Sequence, residues 1–290
     1  MKKILLATTL LAMSAGYASA DIAISGTARM GVVNDGTNTL FSSRVRIQFD
    51  ATGTTDGGLS FGATMRADQD GGNISGTANG SSTVFVSGAF GKLTMGDVAG
   101  GAADELVGQI SGVGDTGIGD TNEIGFLGST APAARYDYTS GNLSVALGTS
   151  QTSAAAGFDK NSIAVKYATD KFNVALGYET VTGDKQMTLK AGATFGAITA
   201  TAKASKKDFT LDALGAPTAV AGTTEFGVSI DYAVNPALKV TAFYTDHKDA
   251  GTKAKGIGAS YDLGGGASVI GGVVDNGTDT VYDAGVSMSF

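Results

Sequence analysis

The sequence predicts an all-β fold: a transmembrane antiparallel up-and-down β-barrel of about sixteen strands. Three observations carry that expectation. Apolar residues recur with a period of two along nearly the whole chain, the period of a strand with one apolar and one polar face. Short and long connections alternate, which puts tight turns at one end of a cylinder and loops at the other. Finally, 44 of the 290 residues are Gly and only 3 are Pro. Gly in a helix interior costs about 1 kcal/mol relative to Ala, and Pro is tolerated in sheets only at edges, strand starts and bulges.

Composition removes several alternatives. There is no Cys, hence no disulfide scaffold, thiolate metal site or thiol enzyme. The formal net charge of −7 and a pI near 4.7 argue against nucleic acid as a partner, because phosphate affinity comes from Lys and Arg. Lys2 and Lys3, the apolar run 4–13 and Ala18-Ser19-Ala20 read as a cleaved secretory signal peptide over residues 1–20. The run is too short for the roughly 20 residues of a spanning helix. Residues 21–290 are then the barrel, with 18 basic against 27 acidic side chains and a net charge of −9.

The elements follow in order. Ile22, Ile24, Ala28, Met30 and Val32 alternate with Ala23, Ser25, Thr27 and Arg29 in a strand over 22–33. Val45, Ile47, Phe49 and Ala51 oppose Arg44, Arg46, Gln48 and Asp50 over 41–52. Leu59, Phe61, Ala63, Met65 and Ala67 oppose Ser60, Thr64, Arg66 and Asp68 over 58–68. The same rule gives 82–89, 91–97, 134–140, 142–149, 161–168, 171–180, 186–194, 197–205, 224–232, 237–246, 254–262, 266–274 and 281–290. About ten residues at roughly 3.3 Å each, tilted about 45°, rise about 23 Å, close to an apolar band of about 25 Å. Pro132, Pro217 and Pro236 all fall between strands.

A soluble sandwich would pack its apolar face with bulky side chains. Here that face is rich in Ala and Gly, and the other carries Arg, Lys, Asp, Gln, Ser and Thr, which suits a wet lumen inside a lipid-facing wall. Tyr136, Tyr138, Tyr167, Tyr178, Tyr232, Tyr244, Tyr261 and Tyr282 are candidates for interfacial girdles. Parity places Arg29, Arg44, Arg46 and Arg66, four of the five Arg, on the lumen side of the first three strands. An Arg at the bilayer midplane costs roughly 2–4 kcal/mol, so a water-facing cluster is the consistent reading. Arg135 and Lys92 fall on the same side, on strands bordering 98–133. That stretch has no clear strand and carries Asp104, Glu105, Asp115, Asp120 and Glu123. Connections of such length are usually functional or disordered.

Other chemistry finds little support. The sole His, His247, lies in Thr245-Asp246-His247-Lys248-Asp249 at an expected external rim, where it reads as a solvated loop residue rather than a catalytic base. Gly264-Gly265-Gly266 lacks the Lys-Ser/Thr of a phosphate loop and reads as a turn. No enzyme is expected. The run Lys203-Ala204-Ser205-Lys206-Lys207 reads as a solvated strand end, with lipopolysaccharide phosphates as the functional alternative.

Several segments resemble a family. Ser25-Gly26-Thr27-Ala28-Arg29-Met30-Gly31-Val32, Phe41-Ser42-Ser43-Arg44-Val45-Arg46, Gly53-Thr54-Thr55-Asp56-Gly57-Gly58-Leu59, Val84-Phe85-Val86-Ser87-Gly88-Ala89-Phe90-Gly91-Lys92 and Gly258-Ala259-Ser260-Tyr261-Asp262-Leu263-Gly264-Gly265-Gly266 are similar to general porins of the alphaproteobacterial type, and the terminal Phe290 resembles an outer-membrane C-terminal signature. The resemblance implies an outer-membrane homotrimer for passive diffusion of ions and small hydrophilic solutes, in contact with outer-membrane lipid and lipopolysaccharide. It also implies that the long third external loop, 98–133, is folded into the lumen to make a constriction in which Arg29, Arg44, Arg46 and Arg66 form a basic wall opposite the loop acids. No cofactor is required, although some relatives hold calcium at loop acids. The alternatives are a sugar-specific channel, which would show an aromatic slide where only Phe243 and Phe85 point inward, or a non-conducting structural or adhesive barrel.

Overall fold

Every strand expected from the alternation is present in the computed structural model, which describes residues 21–70, 73–74, 82–98, 101–114, 118–127, 133–150, 160–181, 184–208, 223–248 and 250–290. The expected leader, Asp115, Pro132 and Pro217 lie outside these residues; Pro236 sits in the turn after Ala233. In chain order the strands are β1 Asp21–Asn34, β2 Thr39–Thr54, β3 Ser60–Asp70, β4 Asn73–Ile74, β5 Thr83–Gly88, β6 Gly91–Gly96, β7 Ala133–Ser140, β8 Leu143–Ser150, β9 Lys160–Ala168, β10 Phe172–Val181, β11 Asp184–Phe195, β12 Ile198–Asp208, β13 Thr223–Ala233, β14 Leu238–His247, β15 Thr252–Gly264, β16 Ala267–Asp275 and β17 Thr280–Ser289. β4 is a two-residue strand on the end of β3, and β3 pairs onward with β5, so sixteen strands build the wall.

All neighbours are antiparallel and sequential, and β1 pairs with both β2 and β17. The sheet is therefore closed. Phe290 seals the seam, its N–H donating to Gly26 O and its carbonyl accepting from Gly26 N–H, at 3.0 and 2.7 Å. Closure leaves no open edge whose amides lipid could not satisfy.

The two faces follow parity. On β10, Phe172, Val174, Leu176 and Tyr178 point outward and are exposed, whereas Ala175, Gly177 and Glu179 point inward and are buried. All eight Tyr candidates lie on the outward parity. Tyr138, Tyr167, Tyr232 and Tyr261 stand near the short-turn ends of their strands, and Tyr178, Tyr244 and Tyr282 near the loop ends, the two levels of an aromatic girdle. The Gly264–Gly266 turn takes φ of 79°, 65° and 87°, a left-handed path that a Cβ would strain.

The described apolar core is not at the centre of the cylinder. Ile110, Val113 and Ile118 pack on Phe243, Ala254, Val274 and Val281, and Ala102 packs on Ala146 and Ala164. In each case the first members belong to the connection between β6 and β7 and the rest to the inward wall. The long third loop, L3, is thus folded into the lumen.

Candidate pore constriction

L3 begins with a short helix, α1 Gly101–Val107, and later makes a 3-10 turn at Ile118–Asp120. The stretch without a clear strand thus carries helical turns. α1 lies along β7 to β11 and the 3-10 turn reaches β16 and β17. Close approach is possible because the wall beneath lacks side chains. A Cβ at Gly177 would stand 2.6 Å from the Cβ of Ala103, one at Gly258 2.8 Å from the Cβ of Val113, and one at Gly227 2.9 Å from Ile110 Cδ1. Much of the inward glycine content is therefore the seat of L3.

The return leg of L3 is held by its carbonyls. Thr121 O accepts from Thr245 Oγ1 at 2.7 Å and lies 3.1 Å from His247 Nε2. Ile124 O accepts from Lys203 Nζ at 2.6 Å, Gly125 O from Gln186 Nε2 at 2.8 Å, and Leu127 O from Lys160 Nζ at 2.7 Å. Lys160 also meets Glu179 Oε1 at 2.7 Å, with both side chains buried. Lys203, 2% exposed, donates a second bond to Gln109 Oε1 at 2.6 Å and stands 3.9 Å from the centre of the Phe126 ring. Two expectations change as a result. His247 is the last residue of β14 and meets L3 rather than standing free in a loop. Of the three lysines in the run 203–207, Lys203 and Lys207 turn inward and are buried, and Lys206 points out.

The basic wall stands on β1 to β3 as parity requires. Arg29 faces Arg44 across the β1–β2 ladder. Arg46 Nε lies 3.1 Å from Asp68 Oδ2, and Arg66 Nε 2.7 Å from Asp68 Oδ1. Asp50 accepts from Thr64 Oγ1 at 2.6 Å and Gln48 Nε2 at 2.8 Å. Asp50 and Asp68 therefore belong to the charged wall, and their parity with the Arg residues was the available signal. Hydrogen bonds and ion pairs tie the described part of L3 to β7 and to β9 to β14, and its packing reaches β17.

Of the L3 acids, Asp104, Glu105, Asp120 and Glu123 are exposed on the loop. Glu105 Oε2 pairs with Arg135 Nη1 at 2.8 Å, and Arg135 also holds Asp137 at 3.0 Å. Desolvation, followed by the charges of Asp120 and Asp104, pushes the Glu123 carboxyl above its usual range, against an opposing pull from Lys203. Among the described residues no group of three or more His, Asp or Glu side chains is placed to hold a metal ion.

A closed sheet with an apolar exterior, a polar lumen and an inward loop defines a transmembrane β-barrel channel. Comparison gives the particular family: the Gram-negative porin family matches residues 7–281. A porin of Rhodobacter capsulatus is 35% identical, the match spanning 93% of this chain and all of the relative. A porin structure refined at 1.8 Å resolution superposes with a TM-score of 0.78 at 35% identity, over 93% of this chain and all of the other. A mutant of the Rh. blastica porin, 24% identical with a TM-score of 0.75 over the same shares, repeats the fold. The chain belongs to the Gram-negative porin family, and it is an outer-membrane channel for passive diffusion of ions and small hydrophilic solutes.

Proposed function

We propose that solutes are sieved and oriented between the Arg wall of β1 to β3 and the carboxylate rim of L3. The observation that supports this reading is the seat of L3 on the wall. It packs on β7 to β17, which leaves the wall bearing Arg29, Arg44, Arg46 and Arg66 across the remaining gap. Asp104, Asp120 and Glu123 form the opposite edge. Unit charges about 4 Å apart interact by roughly 4 kcal/mol at an effective dielectric near 20, and by less as they separate. Dipolar solutes therefore align across the gap. An excess of acids gives weak cation preference at low salt, fading as the Debye length falls to about 10 Å at 0.1 M. The test is the reversal potential of the Arg44→Glu/Arg46→Glu variant in a salt gradient. Cation selectivity rises while the barrel still forms, because both side chains stand in water; unchanged selectivity in a folded barrel would refute the constriction. The role we infer is that of a channel rather than an enzyme.

The outer surface supports two partners. Every charged outward side chain on the described strands, namely Lys185, Lys206, Asp208, Asp246, Lys253, Lys255 and Asp275, lies at the loop ends of β11 to β16. Those lysines stand where outer-leaflet phosphates of lipopolysaccharide would meet the barrel. β17 and β1 to β5 carry no outward charge among the described residues, and Phe41 there is 96% exposed. We infer that this sector is the contact between copies in a homotrimer. Unheated gels and light scattering in detergent read the assembly directly: a threefold mass is expected, and monomer alone would overturn it.

A further inference from the structure

A row of lysines crosses the inward wall away from the four arginines. Lys166 on β9 faces Ala175 on β10, Ala175 faces Lys190 on β11, and Lys190 faces Lys203 on β12. Strands are about 4.8 Å apart, so Lys166 and Lys190 stand about 10 Å from each other at the backbone, one on each side of a residue that is 1% exposed. Like charges directly opposite one another weaken a strand pair. The row is therefore held against local preference.

No carboxylate makes an ion pair with it among the described residues. The other inward lysines at this wall each meet an acid: Lys160 meets Glu179, Lys207 meets Glu225, and Lys239 meets Asp231. Among the described residues, Lys166, Lys190 and Lys203 form no ion pair. Lys203 is satisfied by neutral acceptors, Gln109 Oε1 and Ile124 O, and by the Phe126 ring. Lys190 gives one bond of 3.3 Å to Gln109 O. Lys166 makes no polar contact among the described residues, is partly exposed, and lies two positions from the short-turn end of β9.

Position decides what these charges can meet. Lys203 is covered by Gln109, Ile124 and Phe126 of L3, whereas Lys166 and Lys190 are partly exposed. Two ammonium groups with free donors match a small ligand with more than one negative charge and several acceptor oxygens. We propose that Lys166 and Lys190, backed by Lys203, form an oxyanion seat on the short-turn side of L3 that lets phosphate-bearing solutes pass a channel of acidic overall charge. The seat rests on the channel function and not on the Arg constriction.

The experiment is inhibition of potassium chloride conductance by inorganic phosphate in planar bilayers, using the full chain, with phosphate added to each side in turn and acetate as the singly charged comparison. Phosphate is expected to lower the wild-type current at concentrations where acetate does not. In Lys166→Gln/Lys190→Gln the half-inhibiting concentration rises about tenfold or more, the factor expected for loss of a hydrogen bond to a charged group. Lys253→Gln, on the outer face, leaves it unchanged. Should the double variant fail to insert, Lys166→Gln alone reads the same effect with a smaller shift, since that side chain supports no described contact. Equal inhibition of wild type and variant, equal inhibition by acetate, or a conducting wild type indifferent to phosphate would each overturn the seat. Silence of the wild type in chloride alone would instead count against the channel beneath it.

Discussion

Glu123 is exposed on L3 but its neighbours disfavour its charge: desolvation acts first, then Asp120 and Asp104. A carboxyl raised above its ordinary 4.5 stabilises the folded state fully below that value, and the contribution is lost as pH rises through the raised one. Cation preference should therefore begin to fall on acidification before an ordinary glutamate protonates. Glu123→Gln should remove that early step in reversal potentials taken across the range just above 4.5. Deeper in the wall, Glu179 compensates Lys160 where neither reaches water. Glu179→Gln leaves a buried ammonium without its counter-charge, a loss of about 3–5 kcal/mol for such pairs, seen as a lower temperature for the heat-induced mobility shift on gels. The parity of Arg29, Arg44, Arg46 and Arg66 was legible because a strand assigns faces by counting. The Glu105–Arg135 pair was not, since it depends on where L3 comes to rest.

Sixteen strands could be read from alternation, whereas α1 could not. Seven residues make under two turns, too few for a 3.6-residue period to separate from noise, and Gly-Ala-Ala-Asp-Glu-Leu-Val carries one small-residue face whose partner is the glycine-lined wall. What fixes L3 is complementarity between Ala102 and Ala103 on one side and Gly148, Ala164 and Gly177 on the other. Overfilling that seat tests the docking. Gly177→Val adds atoms where even a Cβ meets Ala103 at 2.6 Å; overpacking typically costs 1–3 kcal/mol. The strands are unaffected by parity, so the barrel should still insert while α1 shifts, and single-channel conductance should change. Wild-type conductance in this variant would mean that α1 does not bound the pore. Ile118 and Asp120, at φ of 42° and 51°, add backbone strain of order 1–3 kcal/mol each. Burial of Ile118 against Val281 and its neighbours offsets it.

At the level of the whole barrel, the lipid band and the wet lumen are set by one repeated rule, and a single outward charge should violate it. Ile47 faces out between Gly26 and Ala67. Ile47→Glu should reduce insertion into liposomes by an equilibrium cost of a few kcal/mol, in contrast to the tolerated Arg44→Glu/Arg46→Glu change on the same strand. Equal yields would mean that the two faces are reversed. The seam between β1 and β17 has a different kind of consequence. Thr27 meets Ser289, and Gly26 meets Phe290, so the pairing that removes the last open edges joins residues from opposite ends of the barrel sequence. Contacts of such long range are slow to form. Until the final strand has been exported, β1 offers an unpaired ladder to any other chain. Assembly must therefore wait on the C-terminal strand, and chains lacking it should accumulate as aggregates on the way to the membrane rather than as leaky pores within it.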